Sequence, residues 1–115
     1  MWLYLAAVTM VATALLHSFL GEQRLIRPLL AINTPLLQST LARQVLRYAW
    51  HFTSVLMILS AVVIVWSGVP SGVIIVVGIT WLVTGIADAV LTSGRHLGWP
   101  FITTAGVFTL LASWN

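Results

Sequence analysis

Apolar positions gather into four long runs along this chain, at 2–20, 45–66, 72–92 and 99–114, with polar residues concentrated between them. A helix needs about 20 apolar residues to cross the ~30 Å hydrocarbon core of a bilayer, and the first three runs meet that length. The fourth is short. At 1.5 Å of rise per residue it reaches roughly 24 Å, so it must stand upright, thin the bilayer or lean on neighbours. The pattern predicts an all-α integral membrane four-helix bundle forming a single domain over 1–115. The first run lacks a basic leading region and is too long for a secretory signal, so it is expected to be a retained span.

The connections differ in character. Between the second and third runs, SGVPSG is a tight turn of small residues and proline, which predicts that helices two and three are antiparallel neighbours. The first connection, GEQRLIRPLLAINTPLLQSTLARQ, mixes apolar and polar residues, with Pro28 as an interruption and Thr34 before Pro35 resembling an N-cap and first helical residue. It predicts an amphipathic segment lying at the membrane interface, a candidate continuation of helix two. A short repeat, SFLGEQRLIRPLL and TSGRHLGWPFI, follows the first and third runs and hints at two hairpins in parallel repeat.

Composition agrees with a membrane bundle. The chain is 60% hydrophobic and 6% charged, with a mean hydropathy of +1.06, outside the range of soluble domains. All its basic residues are arginines, and Arg24, Arg27, Arg43, Arg47 and Arg95 fall only in or beside the first and third connections. By the positive-inside rule both connections are expected in the cytoplasm, with both termini outside, in a bacterial-type plasma (inner) membrane. Aromatic residues give the same division: Trp2, Tyr4, Trp66 and Trp114 mark one interface, and Tyr48, Trp50 and Trp99 the other. The net charge of +3 follows from topology, and no basic patch interleaved with aromatics points to nucleic acid.

Polar residues within the runs recur at helical spacing. Thr9, Thr13 and His17 step by four in the first helix, Arg43, Arg47 and His51 in the second, and Thr80, Thr84, Asp88 and Thr92 in the third. Such stripes predict a polar seam inside the bundle, although threonine in a membrane helix can satisfy itself on its own backbone. Gly78, Gly85 and Ala89 share a face of the third helix and predict a close helix approach.

At the arginine-bearing side, His17, His51 and Asp88 come from three helices yet fall at similar depth, about 5–10 Å inside the boundary. Glu22 and His96 lie just outside them, so this layer gathers every histidine and carboxylate of the chain. Asp88 at that depth requires a partner, either Arg47 or a histidine. A metal reading takes His17, His51, Asp88, Glu22 and His96 as ligands for zinc, iron, manganese or copper, though HxxxH, HExxH and ExxH motifs are missing. A b-type haem reading takes His17 and His51 as axial ligands, Arg47 as a propionate partner and Trp81 as packing on the ring. A proton-relay reading uses Asp88 and the imidazoles. In a structural reading the layer fixes the register of the bundle.

No catalytic residues are expected, because Ser18, Ser39, Ser54 and Ser93 lack nucleophile contexts and cysteine is absent. The leading expectation is a non-enzymatic accessory or assembly subunit whose partners are the bilayer and other membrane proteins or further copies of itself. A metal-binding, haem-binding or proton-conducting protein using the same layer is the alternative.

Overall fold

A computed structural model describes residues 1–114. Four helices carry the fold: α1 (Trp2–Leu30), α2 (Thr40–Val65), α3 (Ser71–Leu91) and α4 (Trp99–Ser113). The first three are long and apolar enough to cross a membrane, and α4 is a shorter apolar helix. Leucine, valine and isoleucine cover the outside of the bundle, including Val8 on α1, Val55 and Leu59 on α2 and Val76 and Val83 on α3. An apolar exterior of this kind suits a protein surrounded by lipid.

Helix α1 does not stop at Pro28. A π-helical turn occupies Glu22–Ile26, and α-helical geometry resumes over Arg27–Leu30. Within a regular helix the proline ring would collide with the carbonyl four residues back, at Arg24, and the wider turn at that place relieves the collision. The π turn and the resumed helix together bury Ile26 and Leu30 while Arg24 and Arg27 stay exposed. The amphipathic turns expected between the first two spans therefore belong largely to α1, not to α2. At Thr34 the hydroxyl accepts the Leu37 amide at 3.3 Å and starts the short 3-10 turn Leu36–Gln38. Ser39 then caps α2, its hydroxyl accepting from the Ala42 amide at 3.4 Å.

Packing departs from the expectation for α2 and α3. Helix α1 lies between α2 and α4, α4 packs closely on α3, and α2 touches α3 little despite the short turn that joins them. Glycines explain the preference. A Cβ built on Gly106 of α4 would press into the Leu82 backbone of α3, and one on Gly85 of α3 into Thr103 of α4. Gly78 likewise faces Leu110. Backbones without side chains at these points approach closely, and the resulting contact area holds α3 to α4 instead of to α2. Gly78 and Gly85 thus mark a close approach, as their spacing predicts.

The core is small and runs through the middle of the bundle. Ala6 and Met10 of α1, Ala61 and Ile64 of α2, Trp81 of α3, and Ile102 and Ala105 of α4 form one buried cluster.

No polar seam joins these stripes among the described residues. Thr9, Thr13, Thr80, Thr92 and Thr109 each donate to the carbonyl four residues back, and Thr80 and Thr84 lie on the exposed surface. A hydroxyl satisfied on its own helix has no need to face a neighbour.

Candidate functional site at the arginine-bearing end

Helices α1 and α2 meet at this end through polar residues spaced one turn apart on facing surfaces. Ser18 and Glu22 lie four apart on α1, and Arg47 and His51 four apart on α2, so each pair projects from one face. Arg47 Nη2 is 2.9 Å from Glu22 Oε1, and His51 Nε2 is 3.2 Å from Glu22 Oε2. His51 Nδ1 stands 2.6 Å from the Ser18 hydroxyl. The ionised carboxylate can only accept, so the Nε2–H of His51 donates to it; in the neutral ring Nδ1 then accepts the Ser18 proton. Both nitrogens of His51 are engaged, and the Glu22 charge has two partners. The Glu22 side chain is 19% exposed, which keeps the network partly sheltered from water.

His17 sits beside this network with different partners. Its ring stacks on Trp50, with centroids 4.2 Å apart and planes 11° from parallel. The Trp50 indole N–H donates to the His17 carbonyl at 3.2 Å. Thr53 Oγ1 is 2.6 Å from the Trp50 carbonyl, so its proton is committed there. His17 Nε2, 2.9 Å from the same oxygen, is therefore the donor in that contact. Gly21 makes the stack possible, since a Cβ at that position would run into the Trp50 ring.

Asp88 finds its partner in the third connection. His96 Nδ1 lies 2.6 Å from Asp88 Oδ2, and the Asp88 side chain is 20% exposed. A helix-terminal motif positions the pair. The Gly94 amide donates to the Ala89 carbonyl at 2.7 Å and the Ser93 amide to that of Val90 at 3.2 Å, closing α3 with Ser93 in left-handed geometry at φ 52°. The turn brings His96 back over the last turn of α3, where its amide lies 3.4 Å from the Thr92 hydroxyl.

The ionisable layer is therefore divided. His51 joins Glu22, Ser18 and Arg47; His17 joins Trp50 and Thr53; Asp88 joins His96. Among the described residues no three histidine, aspartate or glutamate side chains gather closely enough to hold a metal ion. Trp81 lies in the core cluster. The i+4 spacing of Ser18 and Glu22 on α1, matching that of Arg47 and His51, is the signal in the sequence that would have identified the network.

A cleft of about 560 Å³ opens between the arginine-bearing half of α1 and the start of α4. Leu16, Leu20, Leu25, Phe101 and Ile102 form apolar walls, while His17, Arg24, Arg95 and His96 also line it. Trp50 and Trp99, expected as interface anchors, turn their indole N–H groups to backbone carbonyls, of His17 and Gly94 respectively.

Comparison of the chain with protein-family models, with curated proteins and with solved structures finds no match.

Proposed function

We propose that the protein is a small, non-enzymatic membrane component that acts through contacts of its helices with other membrane proteins or with further copies of itself. In this reading the layer of His17, His51 and Asp88 is structural. The observation that carries it is the engagement of Glu22, His51 and Asp88 by other side chains of the same chain. A ligand site would instead hold donor atoms in reserve around a common point.

The flanking helices supply the contact surfaces. Helices α2 and α3 each pack chiefly on one neighbour, α1 and α4 respectively, and leave broad apolar faces outward. The arginine-bearing connections face the cytoplasm of a bacterial-type plasma membrane in this reading. Because the chain contains no cysteine, single cysteines placed at Gln38 and Ser67 report sidedness without background. Labelling of Gln38 from the outside would reverse the orientation.

The test of the function is photo-crosslinking in native membranes from the two outer faces, with the crosslinker placed at Leu59 on α2 and at Val76 on α3. A discrete adduct from either face, to another protein or to a second copy, supports the reading. Recovery of uncrosslinked monomer from both faces would overturn it. Elemental analysis and visible absorption of the same preparation address metal and haem, and a stoichiometric metal or a Soret band would replace the structural reading of the layer.

A further inference from the structure

The chain has two carboxylate side chains and five arginines, and both carboxylates are taken. Glu22 is held by Arg47 and His51, and Asp88 by His96. Arg24 and Arg95 have no acidic partner among the described residues, yet both line the cleft between α1 and α4. Their positions come from unrelated parts of the chain. Arg24 lies inside the π-helical turn of α1, and Arg95 follows the left-handed Ser93–Gly94 pair that ends α3. Wide π turns alter the face on which later side chains emerge, and they recur at binding sites.

The walls and the rim of this cleft differ in chemistry. Farther along α1 and α4 from the arginines it is lined by Leu16, Leu20, Phe101 and Ile102, and Leu16 and Phe101 are themselves 41% and 44% exposed. With these two side chains exposed, the cleft is open to whatever surrounds the flank of α1 and α4, which for apolar helices in a membrane is lipid. Its volume falls within the range of ligand sites, about 300–1,000 Å³. Two uncompensated guanidiniums above an apolar slot call for an anion with a hydrocarbon tail. A soluble anion would use the arginines and leave the slot unfilled.

We propose that the cleft binds an anionic phospholipid, with its phosphate between Arg24 and Arg95 and an acyl chain along the leucine-lined wall between α1 and α4. Guanidiniums suit phosphate because their donors can engage two oxygens at once. Basic pockets between membrane helices take such headgroups. His96 is held by Asp88 at the rim, and His17 is held by Trp50 and Thr53 at the wall, so the site is built from side chains with defined positions.

The experiment reconstitutes the full chain in nanodiscs of equimolar phosphatidylglycerol and phosphatidylcholine, extracts it in mild detergent and measures retained lipid by native mass spectrometry. Retention of one phosphatidylglycerol per chain is expected, with roughly twenty-fold preference over phosphatidylcholine. R24Q/R95Q should bring the preference close to unity, R24K/R95K should retain part of it, and R27Q/R43Q, outside the cleft, should leave it unchanged. Equal retention of the two lipids by the natural chain, or an equal loss in R27Q/R43Q, would overturn the proposal. Displacement of the lipid by millimolar inorganic phosphate alone would assign the arginines to a free anion and overturn it as well. Should R24Q/R95Q fail to fold, phosphatidylglycerol with a diazirine in its acyl chain decides the matter on the natural chain: labelling of α1 near Leu16 or α4 near Phe101 supports the site, and labelling confined to other surfaces rejects it.

Discussion

His51 of α2 reaches across to Glu22 of α1, Nε2 to Oε2 at 3.2 Å, and its other nitrogen closes on Ser18 of the same helix at 2.6 Å. One imidazole thus spans a full turn of the neighbouring helix and sets the register between α1 and α2. Arg47, a turn away from His51, holds the second Glu22 oxygen at 2.9 Å. Sliding one helix by a residue would break all three contacts together.

The Glu22 network should couple α1 to α2 measurably but modestly. Arg47 and His51 are 49% and 36% exposed, so solvent screens their charges. A double-mutant cycle combining Glu22→Gln with Arg47→Gln is expected to give a coupling of roughly 0.5–1 kcal/mol. Thermal unfolding in detergent at two salt concentrations checks it, with a smaller coupling at the higher salt. A coupling near zero at both would mean that the pair does not hold the helices together.

Glycine at 106 should be harder to replace than glycine at 78. A Cβ at 106 would lie 2.7 Å from the Leu82 Cα, a backbone atom that moves only if the helix moves. At 78 the nearest obstacle is Leu110 Cδ2 at 2.8 Å, the end of a side chain that can rotate away, although the Leu110 backbone stands close behind at 3.2 Å. Gly106→Ala is therefore expected to cost about 1–3 kcal/mol, and Gly78→Ala less, in reversible unfolding. The reverse order would show that α3 and α4 are not held at the approach described.

Ser93 occupies a position that favours glycine. Among the described residues it is the non-glycine residue with positive φ, at 52°, in the turn that ends α3. Ser93→Gly removes the clash of Cβ with the following carbonyl and should stabilise the protein by about 1 kcal/mol, visible as a raised unfolding temperature. The gain is limited because glycine also adds freedom to the unfolded chain.

Much of this architecture is legible in the residues alone. The four apolar runs mark the helices, and the ends of the last two fall within a residue or so of the observed ones. By contrast, α1 runs ten residues past its run to Leu30 and α2 starts five residues before its run, at Thr40, because the polar residues between them still fit helical turns. Pairing is less legible. SGVPSG brings the end of α2 near the start of α3, but a turn constrains only the ends it joins, whereas Gly85 and Gly106 decide which surfaces fit along their length. Pro28 reads as an interruption of the first connection until the π turn upstream is seen, since that geometry has no compositional signature. For the site, depth places His17, His51 and Asp88 in one layer. Depth says nothing about direction around each helix, and direction is what sends His51 to Glu22 and Asp88 to His96.

Asp88 and His96 should act as a clasp on the third connection. Their contact is 2.6 Å, but His96 is 47% exposed, so the pair is worth on the order of 1 kcal/mol. Asp88→Asn keeps the shape of the side chain and removes its charge. The connection should then open more often, and cleavage by trypsin after Arg95 should quicken roughly five-fold, because proteolysis follows the population of the open form when opening is fast. Cleavage after Arg43, in the first turn of α2, provides an internal reference and should not change. If Asp88 served instead as a proton carrier, the same substitution would abolish a pH-driven flux in liposomes while leaving the Arg95 cleavage rate as it was. The two outcomes differ in both measurements, so one variant separates a clasp from a relay.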